Sequence, residues 1–426
     1  MPTGVARRHP GTAARAPEAI RYRWLVDSNE LRTLLTPSGL ELLDAVTAQG
    51  ETDPVRQVTA LRAAGHSPEL VSVVLGQASL RRRARAKLGE FADRMLFTPS
   101  GLEQASRLRV AARHAGRYRA AGITRIAELG CGIGADTLAF AGAGADVLAV
   151  DADEVTAAIA GYNLAPFPSV TVEHARAEDT ALDEVDGVYL DPARRTAGHS
   201  GTRRLTDPDD YAPSLSFAFD VGRRLPTGVK LGPGFDRALI PDDAEAQWVS
   251  VDGQLVEMGL WFGTLAREGV KRSALLLTAD GAHELAAEHD AADPETRPLG
   301  GYLYEPDGAV IRARQIGTLA ERIGAGTIDA SIAYLSSDAA VSTPFAQGFR
   351  VLDTLPLDQR TIRQELARRR VGTLEIKKRG VDIDPAAFRT GLKLKGPEAL
   401  SLILTRVSGV RTAIIAQRLG TGGRTA

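Results

Sequence analysis

Ala127-Glu128-Leu129-Gly130-Cys131-Gly132-Ile133-Gly134 is the stretch of sequence from which the fold follows. It comes after the apolar run ITRIAEL, which is typical of a buried strand, and before ADTLAFAGAG, which is typical of a helix. Because glycine adopts backbone conformations that a Cβ atom would forbid, this spacing indicates a sharp turn that can approach a ligand closely. The stretch therefore predicts the first strand-turn-helix unit of a parallel sheet.

Short apolar runs alternate with helix-like segments from residue 119 to about 280. The runs are ITRIAEL, DVLAVDA, SVTVEHA, DGVYLDP and GVKLGPG. Runs of this kind are typical of parallel strands that helices cover on both faces. AQWVSVDGQLVEMGLWFG and SALLLTA add further strands, which we expect to give the sheet an antiparallel finish. The sequence predicts an α/β fold over residues 119–285.

The flanking segments have different patterns. Residues 1–22 contain Arg, Pro and Gly without an apolar centre, and they predict a disordered leader. Residues 23–118 predict a helical domain, since Ala, Leu and Arg dominate. Residues 281–300 predict a linker or irregular segment, and a third unit is expected from residue 301 onward, with residues 286–350 as the connecting region before its α+β end. Residues 351–426 predict a small α+β domain whose elements are GTLEIKKRG, DPAAFRTGLK, ALSLILTRV and RTAIIAQRL.

The predicted helical domain contains an internal repeat and a basic run. Thr36-Pro37-Ser38-Gly39-Leu40-Glu41 recurs as Thr98-Pro99-Ser100-Gly101-Leu102-Glu103. Thr followed by Pro is typical of a helix start, so two similarly capped helices are expected. The second copy precedes the glycine turn and is a candidate to lie near the ligand. The run RRRARAK at 81–87 predicts a solvated helical face, with contact to RNA phosphates as the alternative.

Two classes of ligand suit the glycine turn. Gly130, Gly132 and Ala135 satisfy the dinucleotide pattern G-x-G-x-x-G/A, which admits a nicotinamide- or flavin-dependent oxidoreductase. The carboxylate of Glu128 and the spacing G-x-G-x-G favour S-adenosylmethionine, because an acid suits its cationic amino group and would repel a pyrophosphate. Asp151, at the end of the second strand, can accept hydrogen bonds from ribose hydroxyls in either class.

Acidic residues also end the third and fourth strands. Glu178, or Asp179 beside it, is a candidate to accept a hydrogen bond from an adenine amino group. Asp191-Pro192 ends the fourth strand, and a turn at the carboxyl edge of a parallel sheet directs polar groups into the ligand crevice. Asp191 is therefore a candidate catalytic residue that orients a substrate nitrogen or accepts its proton. The alternative for each acid is an ordinary surface turn.

These motifs together resemble class I S-adenosylmethionine-dependent methyltransferases. The resemblance rests on ELGCGIGAD, VDAD and LDPARR, with MLFTPSGLEQA upstream. The chain resembles more closely those bacterial proteins in which such a domain precedes a C-terminal THUMP-like domain, because it also contains LGPGFD, VEMGLWFG, YLYEPDGAVIRA and GTLEIKKRGVDID. The resemblance covers most of residues 30–420 and implies a Rossmann-like fold with an N-terminal helical domain and a small C-terminal α+β domain.

The resemblance also implies a cofactor, S-adenosylmethionine, and kinship with RNA-modifying enzymes such as trimethylguanosine synthases. In those enzymes a Thr-Pro segment lies near the cofactor, and Thr98-Pro99 stands at the matching place. The residues thus assigned to the cofactor are Thr98, Glu128, Gly130, Gly132, Gly134 and Asp151. Glu178 and Asp179 complete the predicted cofactor site.

The chain departs from the amino-methylating enzymes at the fourth strand. Those enzymes have Asn or Asp, then Pro-Pro and an aromatic ring that stacks on the base, whereas this chain has Asp191-Pro192-Ala193-Arg194. Arg194 or Tyr211 is a candidate to replace the ring. Arg195 belongs to the long polar loop that follows, a candidate lid or substrate-binding segment whose charges equally suit internal pairing. The departure leaves a second hypothesis, a non-catalytic RNA-binding protein with a relict methyltransferase fold.

Basic residues cluster in the predicted C-terminal domain. They are Lys377, Lys378, Arg379, Arg389, Lys393 and Lys395. The THUMP-like resemblance implies an RNA-binding face here, with Lys377, Lys378 and Arg379 as its candidates, while a solubilising sheet edge is the alternative. The sequence thus predicts methyl transfer to a nitrogen of RNA, either tRNA or rRNA.

Composition limits the other possibilities. The net charge of −1 gives the whole chain no general attraction to nucleic acid, so any basic surface is local. The single cysteine, Cys131, excludes an internal disulfide, and the seven histidines have no metal-binding spacing, so no metal is expected. The sequence has no apolar run of about 18 residues and no signal peptide, which predicts a cytoplasmic protein without a membrane partner.

Overall fold

The structure, a computed structural model, describes residues 28–50, 53–194 and 211–420. The expected leader, residues 1–22, lies outside this part of the chain, as do residues 195–210 of the polar loop. The chain divides into two compact units, which are Met1–Arg85 with Glu90–Gln104, and Ala86–Gly89 with Ala105–Ala426. Within the described residues, no helix is long and apolar enough to cross a membrane.

The first unit is helical, as predicted for the N-terminal domain. Its helices are α1 (Ser28–Leu34), α2 (Pro37–Ala48), α3 (Pro54–Ala63), α4 (Pro68–Leu88) and α5 (Pro99–Gln104). The repeated hexapeptide begins α2 and α5 in the same way. Thr36 Oγ1 accepts a hydrogen bond from the Gly39 amide at 3.1 Å, and Thr98 Oγ1 accepts one from the Gly101 amide at 2.9 Å. The repeat therefore produces two similarly capped helices.

The basic run on α4 is not the uniform solvated face that we expected. Arg81 is fully buried, and it donates to the carbonyl of Met95 at 2.9 Å and to the carboxylate of Asp44 at 2.8 Å. Arg85 is exposed and pairs with Asp93 at 2.8 Å. Because guanidinium has five donors in a fixed fork, an inward-facing Arg81 joins segments that are distant in sequence within the first unit.

The second unit contains a nine-stranded sheet and a short ribbon. In chain order the strands are β1 (Arg125–Leu129), β2 (Asp146–Asp151), β3 (Val170–His174), β4 (Gly187–Leu190), the ribbon β5 (Ala193–Arg194) and β6 (Tyr211–Ala212), β7 (Thr227–Leu231), β8 (Glu245–Val251), β9 (Gln254–Phe262), β10 (Arg272–Thr278) and β11 (Gly281–Ala287). The sheet order is β11-β10-β8-β9-β7-β4-β1-β2-β3. The associated helices are α6 (Leu108–Ala120), α7 (Ala135–Gly142), α8 (Glu154–Leu164) and α9 (Leu215–Gly222).

The parallel part of this sheet creates a crevice. β1 pairs in parallel with β2 and β4, β2 with β3, and β4 with β7. The chain runs outward from β1 to β3 and then crosses to β4 on the other side of β1, so the strand order reverses between β1 and β4. Ligands of open α/β sheets bind outside the carboxyl ends of the strands at such a point. The glycine turn, Asp151 and Asp191 all lie at this edge.

The sheet has the antiparallel finish that the sequence predicted, together with one unexpected strand. β9 is antiparallel to β7 and β8, and β10 is parallel to β8. β11 pairs antiparallel with β10 over residues that we expected to be linker. Of the β11 side chains only Leu285 is buried, so the segment has no apolar pattern that predicts a strand. Its backbone pairing with β10 holds it in the sheet.

Helix α6 belongs to the second unit, although the sequence placed it in the helical domain. Ala111, Ala115 and Tyr118 on one face of α6 pack with Ile126 of β1 and Phe140 of α7. The hydroxyl of Tyr118 also accepts a hydrogen bond from the Gly228 amide of β7 at 2.9 Å. The division between the units therefore falls before α6, at Gln104, because this helix covers the parallel sheet.

A seven-stranded sheet follows. Its strands are β12 (Tyr302–Pro306), β13 (Gly326–Asp329), β14 (Ile332–Ser337), β15 (Ala346–Pro356), β16 (Val371–Lys378), β17 (Glu398–Val407) and β18 (Val410–Arg418), in the order β13-β14-β12-β15-β18-β17-β16. Four helices lie in this part of the chain: α10 (Gly308–Arg312), α11 (Ile316–Ile323), α12 (Gln359–Arg368) and α13 (Pro385–Leu392). α10 packs against β8, β9 and β10 of the first sheet, whereas α11, α12 and α13 contact strands of the second sheet. The β-α-β-β end of the chain is as predicted.

Three strands of this second sheet lie in the connecting region, residues 286–350, to which the sequence assigned no strands, although it placed the start of a third unit at residue 301. They join the sheet because Leu303 of β12 and Tyr334 of β14 pack in one buried cluster with Phe349, Ile403 and Ile414 from the later strands. The small C-terminal fold therefore extends upstream to β12.

Candidate active site

The glycine turn after β1 has the conformation that its sequence predicted. Gly130 and Gly132 have φ values of 87° and 57°, in the left-handed region that side chains disfavour. A Cβ atom on Gly130 would lie 3.1 Å from the carbonyl oxygen of Asp191, so this glycine lets the ends of β1 and β4 approach each other. A Cβ atom on Gly132 would have no heavy atom within 4 Å. The turn therefore leaves room for a ligand against the backbone of Gly132. Gly134, the last glycine of the turn, begins α7 at a φ of 85°.

Asp151 connects the end of β2 to the glycine turn. Its Oδ2 accepts a hydrogen bond from the Gly132 amide, and its Oδ1 accepts one from the Asp153 amide, both at 2.9 Å. Burial raises the pKa of Asp151, and these two amides oppose the rise. The structure thus brings Asp151 beside the space at Gly132. Its contact with a ribose stays a prediction.

Glu128 lies inside the protein below the glycine turn. Its side chain is buried, and Oε2 accepts a hydrogen bond from Thr137 Oγ1 of α7 at 2.6 Å. Burial, with the nearby carboxylate of Asp136, raises the pKa of Glu128 well above its ordinary value. The carboxyl group is almost fully covered in this structure, and its contact with the amino group of a ligand stays a prediction.

Glu178 and Asp179 follow β3 in a short 3-10 helix, Ala177–Asp179. Both are exposed, and Arg176 pairs with Glu178 at 3.3 Å and with Asp179 at 3.8 Å. They lie at the predicted strand end, and their contact with adenine stays a prediction.

Asp191 lies directly after β4, next to the glycine turn. Its amide donates to the carbonyl of Leu129 at 3.3 Å, and the following Pro192 is buried. The carboxylate is 29% exposed, and its Oδ2 lies 2.5 Å from Nζ of Lys230. Burial raises the pKa of Asp191, and the ammonium group of Lys230 opposes that rise. The predicted catalytic carboxylate is therefore half-buried, at the crevice, and paired with a cation.

Lys230 is a site residue that sequence reasoning missed. It lies in β7, whose five residues are all buried, and Nζ also donates to Ser106 Oγ at 3.1 Å. Burial disfavours its charge, but Asp191, Asp136 and Glu257 outweigh burial and keep the pKa of Lys230 above its ordinary value. A lysine in the middle of the apolar run TGVKL was the signal that could have revealed it, because lysine is almost never buried without a partner.

Three more buried polar residues continue from Lys230 into the interior. Asp136 of α7 lies 3.8 Å from Lys230 Nζ, and its carboxylate is 2.9 Å from Nδ1 of His114. The Nε2 atom of His114 lies 2.7 Å from Glu257 of β9. Burial lowers the pKa of His114, but the two carboxylates outweigh it and raise the value to about 10. Histidine spacing could not reveal this cluster, because its members come from α6, α7 and β9.

The candidates for the missing aromatic ring lie in the ribbon after β4. Arg194 of β5 is opposite Tyr211 of β6 in the pairing register. The Tyr211 ring is 5% exposed and packs edge-on against Phe235, with ring centroids 6.5 Å apart. Tyr211 thus serves as a core residue here, and stacking on a substrate would require its ring to become exposed. Arg195 lies outside the described residues.

The predicted basic face lies on the second sheet and is partly neutralised. Lys377 of β16 lies 2.6 Å from a carboxylate oxygen of Glu305 in β12, and Arg379 lies 4.0 Å from the other oxygen. Lys378, between them, is exposed. Thr98 belongs to the first unit, where it caps α5, and its place near the cofactor stays a prediction.

Comparison with known proteins gives matches over nearly the whole chain. A family model for a THUMP domain-like fold matches residues 346–418, and a model for a domain of unknown function matches residues 27–84. An uncharacterized S-adenosylmethionine-dependent methyltransferase of Mycobacterium tuberculosis is 35% identical over 352 residues, which cover 80% of this chain and 93% of the relative.

Two further matches differ in how much of the chain they cover. An uncharacterized RNA methyltransferase of Streptomyces coelicolor is 34% identical over 123 residues, which are 24% of this chain and 26% of that protein. The crystal structure of a putative methyltransferase from Porphyromonas gingivalis superposes with a TM-score of 0.69 at 21% identity, over 93% of this chain and 99% of that one. This structure shares the fold of the chain.

Proposed function

Because this chain belongs to the S-adenosylmethionine-dependent methyltransferases, we propose that it methylates RNA at a nitrogen atom, in the crevice between the glycine turn and Asp191. Membership of this family removes the oxidoreductase alternative. The placement of Asp191 carries the proposal, since a half-exposed carboxylate at the carboxyl end of β4 suits an acceptor that donates an N–H group.

The residues at the crevice fit the cofactor. The space at Gly132 admits a ligand against the backbone, and Asp151 lies beside it as an acceptor for ribose hydroxyls. Glu128 is the carboxylate for the amino group of the methionine moiety, and Glu178 or Asp179 is the acceptor for the adenine amine. When bound, S-adenosylmethionine supplies a methyl group on a positively charged sulfur, which is electrophilic without further activation.

We assign two tasks to Asp191: it holds the acceptor nitrogen in line with the methyl group, and it receives the proton that the nitrogen loses. Asp191 Oδ1 accepts the N–H hydrogen bond of the acceptor, which orients the nitrogen lone pair toward the methyl group. The new N–C bond forms as the S–C bond to the methyl group breaks, and the sulfur keeps that electron pair and leaves as a neutral thioether. The nitrogen then carries an excess proton, which Oδ1 would accept. Pro192 fixes the turn, and the guanidinium of Arg194 is the candidate to stack on the base in place of the missing ring.

RNA is the acceptor that the C-terminal part of the chain favours. The THUMP-like match and the Streptomyces coelicolor relative both support it. Since Glu305 pairs with Lys377 and lies within 4.0 Å of Arg379, we assign the phosphate contacts chiefly to the exposed Lys378, with Lys393 and Lys395 nearby in sequence. The substrate is tRNA or rRNA, and the cytoplasm remains the predicted location.

A labelling experiment tests this proposal. Purified protein and S-adenosylmethionine with a tritiated methyl group are incubated separately with RNA, DNA and protein from cells that lack the gene. Label is expected in the RNA, removable by ribonuclease, and after digestion in a base-methylated nucleoside whose methyl is on nitrogen. Label confined to protein or DNA would overturn RNA as the acceptor, and label on a ribose oxygen or a base carbon would overturn nitrogen. RNA binding without transfer would favour the relict-fold hypothesis.

A further inference from the structure

The Lys230–Asp191 ion pair at the crevice assigns a role to a residue outside the predicted site. We propose that Lys230 is a positioning residue that keeps Asp191 ionised and turns its Oδ2 inward, so that Oδ1 remains to accept the N–H of the methyl acceptor. The inference rests on the proposed function, which makes Asp191 the residue that holds the acceptor.

The geometry of the pair supports this role. Nζ of Lys230 lies 2.5 Å from Oδ2 of Asp191, and within residues 105–194 and 211–420 no hydrogen bond reaches Oδ1. The side chain of Lys230 is 10% exposed and that of Asp191 is 29% exposed, so the cation is the more deeply buried partner of the pair. A carboxylate whose inner oxygen is fixed by a cation has one orientation, which places the outer oxygen on the substrate side.

Lys230 is itself held in place by the buried residues behind it. Ser106 Oγ accepts a hydrogen bond from Nζ at 3.1 Å and donates one to Asp136 at 2.6 Å. Asp136 lies between two cations, Lys230 at 3.8 Å and His114 at 2.9 Å, and His114 lies between the carboxylates of Asp136 and Glu257. Charges therefore alternate in sign from Asp191 to Glu257, and each stabilises the next in a poorly solvated interior.

The carboxylates around Lys230 also argue against a role for this lysine as the catalytic base. Its raised pKa keeps the ammonium group protonated, so Lys230 cannot take the proton that the acceptor nitrogen loses. Asp191 is the group that can take it, because burial raises the pKa of Asp191, although the charge of Lys230 opposes that rise. Among the described residues, Asp191 interacts electrostatically with Lys230 of β7, Asp136 of α7, Glu257 of β9, Glu128 of β1 and Tyr189 of β4, and Lys230 is the cation among them.

The test measures the ionisation of Asp191 directly. Protein labelled with ¹³C at aspartate carboxyls is titrated by NMR, with Asp191→Asn to identify the signal. In Lys230→Gln the pKa of Asp191 is expected to rise by about one unit or more, because the opposite charge is gone. Lys271→Gln, which removes an exposed lysine of the same unit, is the matched control and should leave the titration unchanged. An unchanged titration in Lys230→Gln would overturn the proposal.

A reciprocal measurement decides the question if Lys230→Gln does not fold. The ¹⁵N signal of the Lys230 ammonium, identified with Lys230→Arg, is followed in wild type and in Asp191→Asn. Its hydrogens are expected to exchange with water roughly tenfold faster in the variant, because the protecting ion pair is lost. Equal exchange rates would contradict the proposal.

Activity measurements separate this inference from the proposed function. With a methylated RNA in hand, the acid limb of kcat against pH should move upward in Lys230→Gln by the same amount as the NMR titration, while the Kd of S-adenosylmethionine stays the same. A limb that does not move would show that Lys230 plays no part in catalysis. If wild type labels no RNA, the proposed function fails, and the NMR titration still decides whether Lys230 keeps Asp191 ionised.

Discussion

Gly130 and Gly132 lie in the same turn, yet the same substitution should affect them differently. Gly132→Ala meets no heavy atom within 4 Å, so we expect a stability loss of about 1–2 kcal/mol from the left-handed backbone alone, together with a loss of cofactor affinity of about tenfold or more. Gly130→Ala also presses on the Asp191 carbonyl at 3.1 Å, and it should cost more stability. Calorimetric titration and thermal unfolding check both. Full cofactor affinity in Gly132→Ala would place the ligand elsewhere.

His114 predicts a pH-dependent stability. Its pKa is about 10 in the fold against an ordinary 6.5, so the stabilisation it gives is complete below pH 6.5 and is lost as the pH rises through about 10. His114→Gln leaves Asp136 and Glu257 facing each other and should cost about 3–5 kcal/mol near pH 6. Urea unfolding at several pH values measures this, with His174→Gln as the control. A difference that does not shrink between pH 7 and pH 10 would argue against a charged His114.

Among single residues, the sequence predicted those that lie in the glycine turn or at the end of a strand. It did not predict the side chains that contact them. Gly130, Asp151 and Asp191 each have a local signal, a turn or a strand end. Lys230 and Asp136 lie in elements that are distant in sequence and come into contact only in the folded chain. Their spacing along the sequence therefore could not predict their interaction. The burial of Tyr211 is of the same kind, because its ring packs against Phe235 from a later loop.

At the scale of elements, the two threonine-capped helices provide a matched pair. Thr36→Ala and Thr98→Ala each remove one hydrogen bond from a helix start and should each cost about 1 kcal/mol. If Thr98 also lies near the cofactor, as the sequence predicted, only Thr98→Ala should weaken S-adenosylmethionine binding. Thermal unfolding and calorimetric titration of both variants check this. Equal binding by the two would remove Thr98 from the cofactor site.

Elements with strong apolar patterns were predicted well, and weakly patterned ones were not. The runs at β1, β2, β4 and β7 are buried along their length or nearly so, and hydrophobicity alone marks them. β11 has only one buried residue, so its pairing with β10 and not its hydrophobicity makes it a strand. β12 was missed because it pairs with β14 and β15, which come later in the chain, and a pairing between distant segments leaves no local mark. β13 and β14 pair with each other as neighbours in sequence, and that hairpin was missed as well.

At the scale of the whole molecule, we propose that methyl transfer takes place at the first sheet and that the second sheet contacts RNA. Replacing Lys378, Lys393 and Lys395 together with Gln should weaken RNA binding and lower the slope of log Kd against log salt by up to about 2, since each phosphate contact contributes about 0.7. S-adenosylmethionine binding should not change. Lys377→Gln is the control, because that lysine already pairs with Glu305. An unchanged salt slope in the triple variant would exclude this face from RNA binding.

Asp191→Asn tests the central claim most directly, because the amide keeps the shape of the side chain and removes its charge. Binding of S-adenosylmethionine and transfer of its labelled methyl group to RNA are measured on wild type and variant side by side. We predict that the two bind the cofactor with affinities within about threefold of each other, while transfer by the variant falls about 100-fold or more. Transfer at the wild-type rate, or a loss of transfer that simply follows a loss of cofactor binding, would contradict the account.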